Sequence, residues 1–214
     1  MKLTMHRISA VCLLALAPAA AMASLTPVLQ NVVASGGGYL WTYNVQAASD
    51  QNITSGLAPT VNPVGSNLGL GGVASFLTFY DFFGFTGACS GPTGWTCTAQ
   101  NIGFDPFNVL PTDDAGIVNV TFSNTSGVDI NGNPVTNVGN DLGSFTLESI
   151  YDQRHQVSYA ALAIKNSGPE AGSAASNIGF ISGPNGPAVV PEPATLALVL
   201  AGLGIAGMTR RKRK

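Results

Sequence analysis

Positive charge is scarce in this 214-residue chain wherever it is not a terminal signal. Of nine lysines and arginines, Lys2 and Arg7 lie in the first 23 residues, and Arg210, Arg211, Lys212, Arg213 and Lys214 crowd the other end. Between residues 24 and 187 only Arg154 and Lys165 remain. Ten acids oppose them, and two minus ten leaves −8. Such a balance excludes nucleic acid binding through phosphate neutralisation, and it excludes docking of this region on an anionic bilayer. Divalent cations and neutral polymers stay open as partners. Histidine is almost missing as well. Beyond the leader there is only His155, so no histidine pair stands at metal-ligand spacing, and no Gly-x-Ser-x-Gly elbow is present.

Cysteine is nearly as rare. Of three, Cys12 lies in the leader, leaving Cys89 and Cys97. An even pair in an exported chain predicts a disulfide, and a metal pair would need further Cys or His nearby. The closed loop is short, so the bridge is expected to contribute about 2.5 kcal/mol. Export itself is predicted from residues 1–23. Lys2 and Arg7 precede or border an apolar core from Ile8 to Leu16, and Ala21-Met22-Ala23 stands before Ser24. That is the pattern of a secretory signal peptide with a small-x-small site, cut between Ala23 and Ser24 after passage through the Sec machinery.

Apart from the leader, a sustained apolar run flanked by basic residues occurs once, in residues 188–214. Val190-Pro191-Glu192-Pro193 is followed by an apolar stretch from Ala194 to Met208 and then by Arg210-Arg211-Lys212-Arg213-Lys214. The basic block is a stop signal that stays on the cytoplasmic side. As a helix the apolar stretch would be roughly 22 Å long, short of the about 30 Å of a bilayer core. A single short transmembrane helix of this kind makes a weak permanent anchor. The arrangement resembles the PEP-CTERM sorting signal of Gram-negative bacteria, a tail also labelled ice-binding protein C-terminal domain. The resemblance implies recognition by an exosortase, a membrane-embedded cysteine transpeptidase. It further implies cleavage near Pro191-Glu192-Pro193 and delivery to the cell surface or matrix after transient anchoring in the inner membrane. The rival reading is an ordinary transmembrane anchor with a proline-rich stem.

The segment between the signals, residues 24–187, is long enough for one domain with a core. No helical period persists there. Short alternations punctuated by Gly, Pro, Asn and Asp predict an all-β, antiparallel β-sandwich. Trp41, Tyr43 and Val45 share one face; Val118, Val120 and Phe122 alternate with Asn119, Thr121 and Ser123; Phe145 and Leu147 alternate with polar residues. Gln156 to Lys165 reads as a longer strand and Asn177 to Ser182 as a closing one. The run Phe76 to Phe85 holds five of ten phenylalanines and reads as a single central strand. Asp81 would then be a buried carboxylate needing a partner, or would mark a bulge that turns it outward. Residues 183–187, Gly-Pro-Asn-Gly-Pro, read as a stiff linker to the sorting motif.

Chemistry-bearing residues are few. His155 beside Asp152 and Arg154 reads as a solvated strand entry. Asp129-x-Asn131-x-Asn133 has the spacing that opens a calcium loop, but Gly132 stands at the fourth position, Pro134 at the sixth and Asn140 at the twelfth. An Asn-Gly turn with Asx hydrogen bonds is the plainer reading, so calcium is a weak expectation and no other cofactor is expected. Asp113-Asp114 reads as a turn. Trp95, inside the Cys89–Cys97 loop, is either core or a sugar-stacking ring. The expectation is a non-enzymatic surface or matrix protein associated with extracellular polysaccharide in a biofilm. One lysine in the whole domain leaves its sheet edges poorly guarded, so self-association is also expected. The alternatives are a carbohydrate- or calcium-binding module, and a glycan hydrolase with two facing carboxylates.

Overall fold

The computed structural model of the protein describes residues 24–59, 73–106 and 109–186. The leader, Ala23, the sorting motif Pro191-Glu192-Pro193, the apolar stretch 194–208 and the basic block 210–214 lie outside these residues. Every regular element described is a β-strand, and every strand-to-strand pairing is antiparallel. In chain order they are β1 (Leu25–Ser35), β2 (Gly38–Ala47), β3 (Gln51–Ile53), β4 (Phe76–Phe79), β5 (Phe85–Ser90), β6 (Trp95–Gln100), β7 (Asn119–Asn124), β8 (Ile130–Asn131), β9 (Asn140–Ser149), β10 (Arg154–Lys165) and β11 (Ala174–Pro184).

Two sheets result. The first has the order β1-β2-β9-β5. The second runs β6-β7-β4-β10, with β3 and β8 continuing beside β10 and β11 pairing with it. Since β11 registers with β10 all along Arg154–Ile164, β4 and β3 share the opposite side of β10. The inner faces pack on each other as in a sandwich. Trp41, Tyr43, Val45, Phe145 and Leu147 of the first sheet join Leu77, Phe79, Val120, Phe122 and Ala161 of the second in one buried cluster. Aromatic pairs cross the gap: Tyr43 lies 4.7 Å from Phe79, and Phe122 meets Phe145 edge-on at 5.1 Å. The alternations in β2, β7 and β9 supply these faces, because successive side chains of a strand point to opposite sides.

The phenylalanine-rich run is not one strand. β4 ends at Phe79 and β5 begins at Phe85 in the other sheet, so the chain crosses the sandwich between them. Asp81 at φ 52° and Gly84 at φ 64° make the turn, and Asp is among the few side chains that visit the left-handed region. Asp81 is therefore neither a mid-strand charge nor a bulge. Its main-chain N–H donates to Asn119 Oδ1 at 2.8 Å, and its own Oδ1 accepts from Asp114 N at 2.8 Å.

The polar residues of β7 hold a second surprise. Alternation leads one to expect Asn119, Thr121 and Ser123 in water, yet all are buried. The stretch from Asn101 to Ile117 contributes their cover: Phe104 meets Phe76 edge-on at 6.0 Å, and Asn119 Nδ2 donates to Asn101 O and Asp113 Oδ1. Thr78 and Thr121 exchange a hydroxyl hydrogen bond of 2.7 Å, and Gln100 Nε2 donates to Thr121 Oγ1. A buried polar face is tolerable because most of it is hydrogen-bonded.

Candidate functional site

The segment that carries the sorting signal leaves the domain from the end of β11. That strand runs to Pro184, and Gly183 and Pro184 are both buried. Part of the expected linker is thus sheet. An edge strand accepts proline because its missing N–H can face away from the ladder. Asn185 N then donates to Gln153 O at 2.7 Å. Gly186 lies so close to Phe83 that an added Cβ would sit 2.4 Å from the ring, so only glycine fits there. Phe83 in turn meets His155 edge-on at 5.6 Å. The docked chain therefore extends to Gly186, five residues before Pro191 in the sequence.

The disulfide is present, with Cα atoms 6.3 Å apart, inside the range such bridges require. Its placement was not foreseeable from the spacing. Cys89 lies on β5, an edge of the first sheet, and Cys97 on β6, an edge of the second, so the bond staples one flank of the sandwich. Trp95 packs edge-on to Phe145 at 5.0 Å against the core, which is the core reading of that ring.

The calcium candidates are occupied with local structure. Asp129 Oδ2 accepts from Asn52 Nδ2 at 3.2 Å and its Oδ1 from Ser55 N at 2.7 Å. Asn131 belongs to β8 and pairs with Asn52. Asn133 Oδ1 accepts from Val135 N and Thr136 N, an Asx turn two residues beyond the expected Asn-Gly corner. Asp113 and Asp114 likewise serve loops: Asp113 Oδ2 accepts from Gly103 N, and Asp114 Oδ1 from Gly116 N. Among the described residues no group of three or more His, Cys, Asp or Glu side chains is arranged to hold a metal ion.

Asp81, Asp105, Asp113 and Asp114 nevertheless form an acidic corner. Burial pushes the carboxyl of Asp81 above its ordinary range, reinforced by Asp113 and Asp114. Burial and Asp113 do the same to Asp105. The neighbouring Tyr80 hydroxyl donates to Phe104 O and is raised by burial. Elsewhere, a cleft of about 410 Å³ is lined by Thr26, Gln46, Ala47, Ala48, Ser49, Asn137 and Gly139. No lining side chain is a carboxylate, imidazole, amine or thiol, and the Ser49 hydroxyl already donates to Asn137 Oδ1 at 3.0 Å.

Among the described residues no helix is long and apolar enough to cross a membrane. No curated protein matches the chain, and no solved structure does. Residues 189–214 match the PEP-CTERM protein-sorting motif, so the chain carries the tail of an exported, membrane-transiting protein of Gram-negative bacteria that is sorted by an exosortase.

Proposed function

We propose that the protein is a non-enzymatic component of the cell surface or extracellular matrix. In this reading the Sec machinery exports it and a signal peptidase cuts between Ala23 and Ser24. An exosortase then trims it near Pro191-Glu192-Pro193, and the domain is retained among extracellular polysaccharide. The observation that carries the reading is the sorting motif at residues 189–214. The domain's own chemistry suits a binding role: the cleft beside Ser49 offers hydroxyl and amide groups, and the calcium-like motif is engaged in local hydrogen bonds. A neutral-polymer environment also suits a domain of charge −8, which would be repelled from anionic surfaces.

The test is the intact mass of the protein recovered from the bacterium that makes it, with its location by fractionation. The expected mass begins at Ser24, ends close to the Pro-Glu-Pro motif and is two hydrogens lighter than the reduced chain. A protein recovered from the inner membrane with residues 210–214 still attached would overturn the reading.

A further inference from the structure

The two flanks of the sandwich are treated differently. One is closed by the Cys89–Cys97 bond. On the other, the edges β1 and β11 meet at Asn177, whose side-chain carbonyl accepts from Ser24 N at 3.1 Å and Leu25 N at 3.2 Å and whose amide donates to Leu25 O at 3.0 Å. Beyond that clamp β11 is an open edge whose phase is set by the ends of its ladder with β10. Lys165 N donates to Ser173 O at 2.9 Å at one end of the β10–β11 ladder, and Asn185 N to Gln153 O at 2.7 Å at the other. Antiparallel strands alternate between bonded and non-bonded pairs, so the odd-numbered residues of β11 bond to β10. The main-chain groups of Ser176, Ile178, Phe180 and Ser182 are directed away from it. The Ser182 carbonyl confirms the phase by accepting from Tyr43 Oη at 2.9 Å. Among the described residues β11 pairs with β10 and with no other strand, so in this phase the main-chain groups of Ile178 and Phe180 are left without a ladder partner. Their side chains are also exposed, 42% and 66%.

We infer that this edge is an isologous interface for a second copy of the chain, paired antiparallel about a two-fold axis at Gly179. In that register Ile178 of each copy stands opposite Phe180 of the other. Both are outward-directed, so each pair exchanges two main-chain hydrogen bonds, and the axis falls on a non-bonded Gly179–Gly179 position. The same alignment places an aromatic ring across from a β-branched side chain twice on the outer face, a favourable cross-strand combination. Charge selects the occupant's approach. Each copy carries −8 in residues 24–187, but β11 contains no ionisable side chain at all. Two like-charged bodies can meet at this neutral strip without placing carboxylate against carboxylate. Edges guarded against such pairing carry lysine, proline in mid-strand or inward charge; β11 has only Pro184, at its very end.

The test uses the full chain in the exporting bacterium and does not depend on where the tail is cut. In Ile178→Cys/Phe180→Cys, the opposed positions would be about 5.5 Å apart between Cα atoms, within disulfide reach. A covalent dimer is expected on a non-reducing gel from the double variant and not from Phe180→Cys alone. No dimer from the double variant, or an equal yield from Phe180→Cys alone, would overturn the register. As a second measurement, sedimentation of the purified protein should show a concentration-dependent dimer whose dissociation constant rises roughly tenfold or more in Phe180→Lys. At a concentration low enough for both proteins to be monomeric the melting temperature should be unchanged, since Phe180 is mostly exposed. A monomer at every concentration, or a dimer indifferent to Phe180→Lys, would overturn the interface itself.

Discussion

At the scale of single residues, Asp81 and Asp50 show opposite uses of a carboxylate. Asp81 is kept for its backbone: it holds φ 52° and accepts from Asp114 N, while burial and its acidic neighbours push its carboxyl upward. A raised carboxyl binds its proton more readily in the fold than in the unfolded chain, so stability is lost as pH rises through the window between the two values. Asp81→Asn keeps the acceptor oxygen and a residue at ease in the left-handed region. It should melt higher than the parent at neutral pH and converge with it in acid. Asp81→Ala loses both features and should cost about 1–3 kcal/mol, a deficit that persists in acid, as paired melts across pH would show. Asp50 is the reverse case. Burial works against its ionised form, but Lys165 Nζ at 2.6 Å and Gln51 Nε2 at 3.0 Å outweigh it and hold the carboxyl below its ordinary range. That contribution is present above the ordinary carboxylate range and is lost as pH falls through the depressed value. Lys165→Met should therefore cost about 0.5–1 kcal/mol at pH 7, measured by denaturant unfolding, with the gap to the parent closing in acid.

At the scale of elements, the disulfide joins edges of two different sheets and so stabilises packing that no ladder hydrogen bond spans. Replacing both cysteines with serine should lower stability by about 2.5 kcal/mol and should speed exchange of amides in β5 and β6 before those in β10, as hydrogen exchange would report. β5 is illegible in the sequence because Thr, Gly, Ala and Ser on a largely exposed flank leave no apolar period to find, whereas β6 alternates Trp95, Cys97 and Ala99 with polar residues over too short a run to stand out from the cysteine loop. β1 is hard to read for a related reason: Pro27 lies within it, and its exposed and half-buried residues follow no regular alternation. By contrast β2 and β9 are readable because burial of one face forces a period of two, and β10 because burial of both faces leaves a continuous apolar run. Phe76–Phe85 reads as a single strand because its apolar content hides Asp81 and Gly84, which are the turn signal inside the run. Of the functional features, the sorting tail was legible because such a signal is read linearly. The Gly183–Pro184 extension of β11 was not, because a proline on an edge and a proline in a linker look alike until the ladder is seen.

At the scale of the whole molecule, the decisive property is a charge of −8 on a domain whose β11 edge is neutral. Repulsion between copies acts over the Debye length, about 8 Å at physiological ionic strength and 30 Å at 0.01 M. The strand pairing at Ile178 and Phe180 acts only at contact and contains no ion pair that salt could weaken. Added salt should thus screen the repulsion and leave the attraction intact. The fraction of dimer at fixed protein concentration should rise between 10 mM and 500 mM sodium chloride, with both concentrations chosen to bracket those lengths. Sedimentation velocity reads this directly. A dimer that dissociates as salt is added would mean that opposite charges hold the copies together. With only Arg154 and Lys165 available as cations in the domain, the interface would then have to be sought around one of those two residues and not along β11.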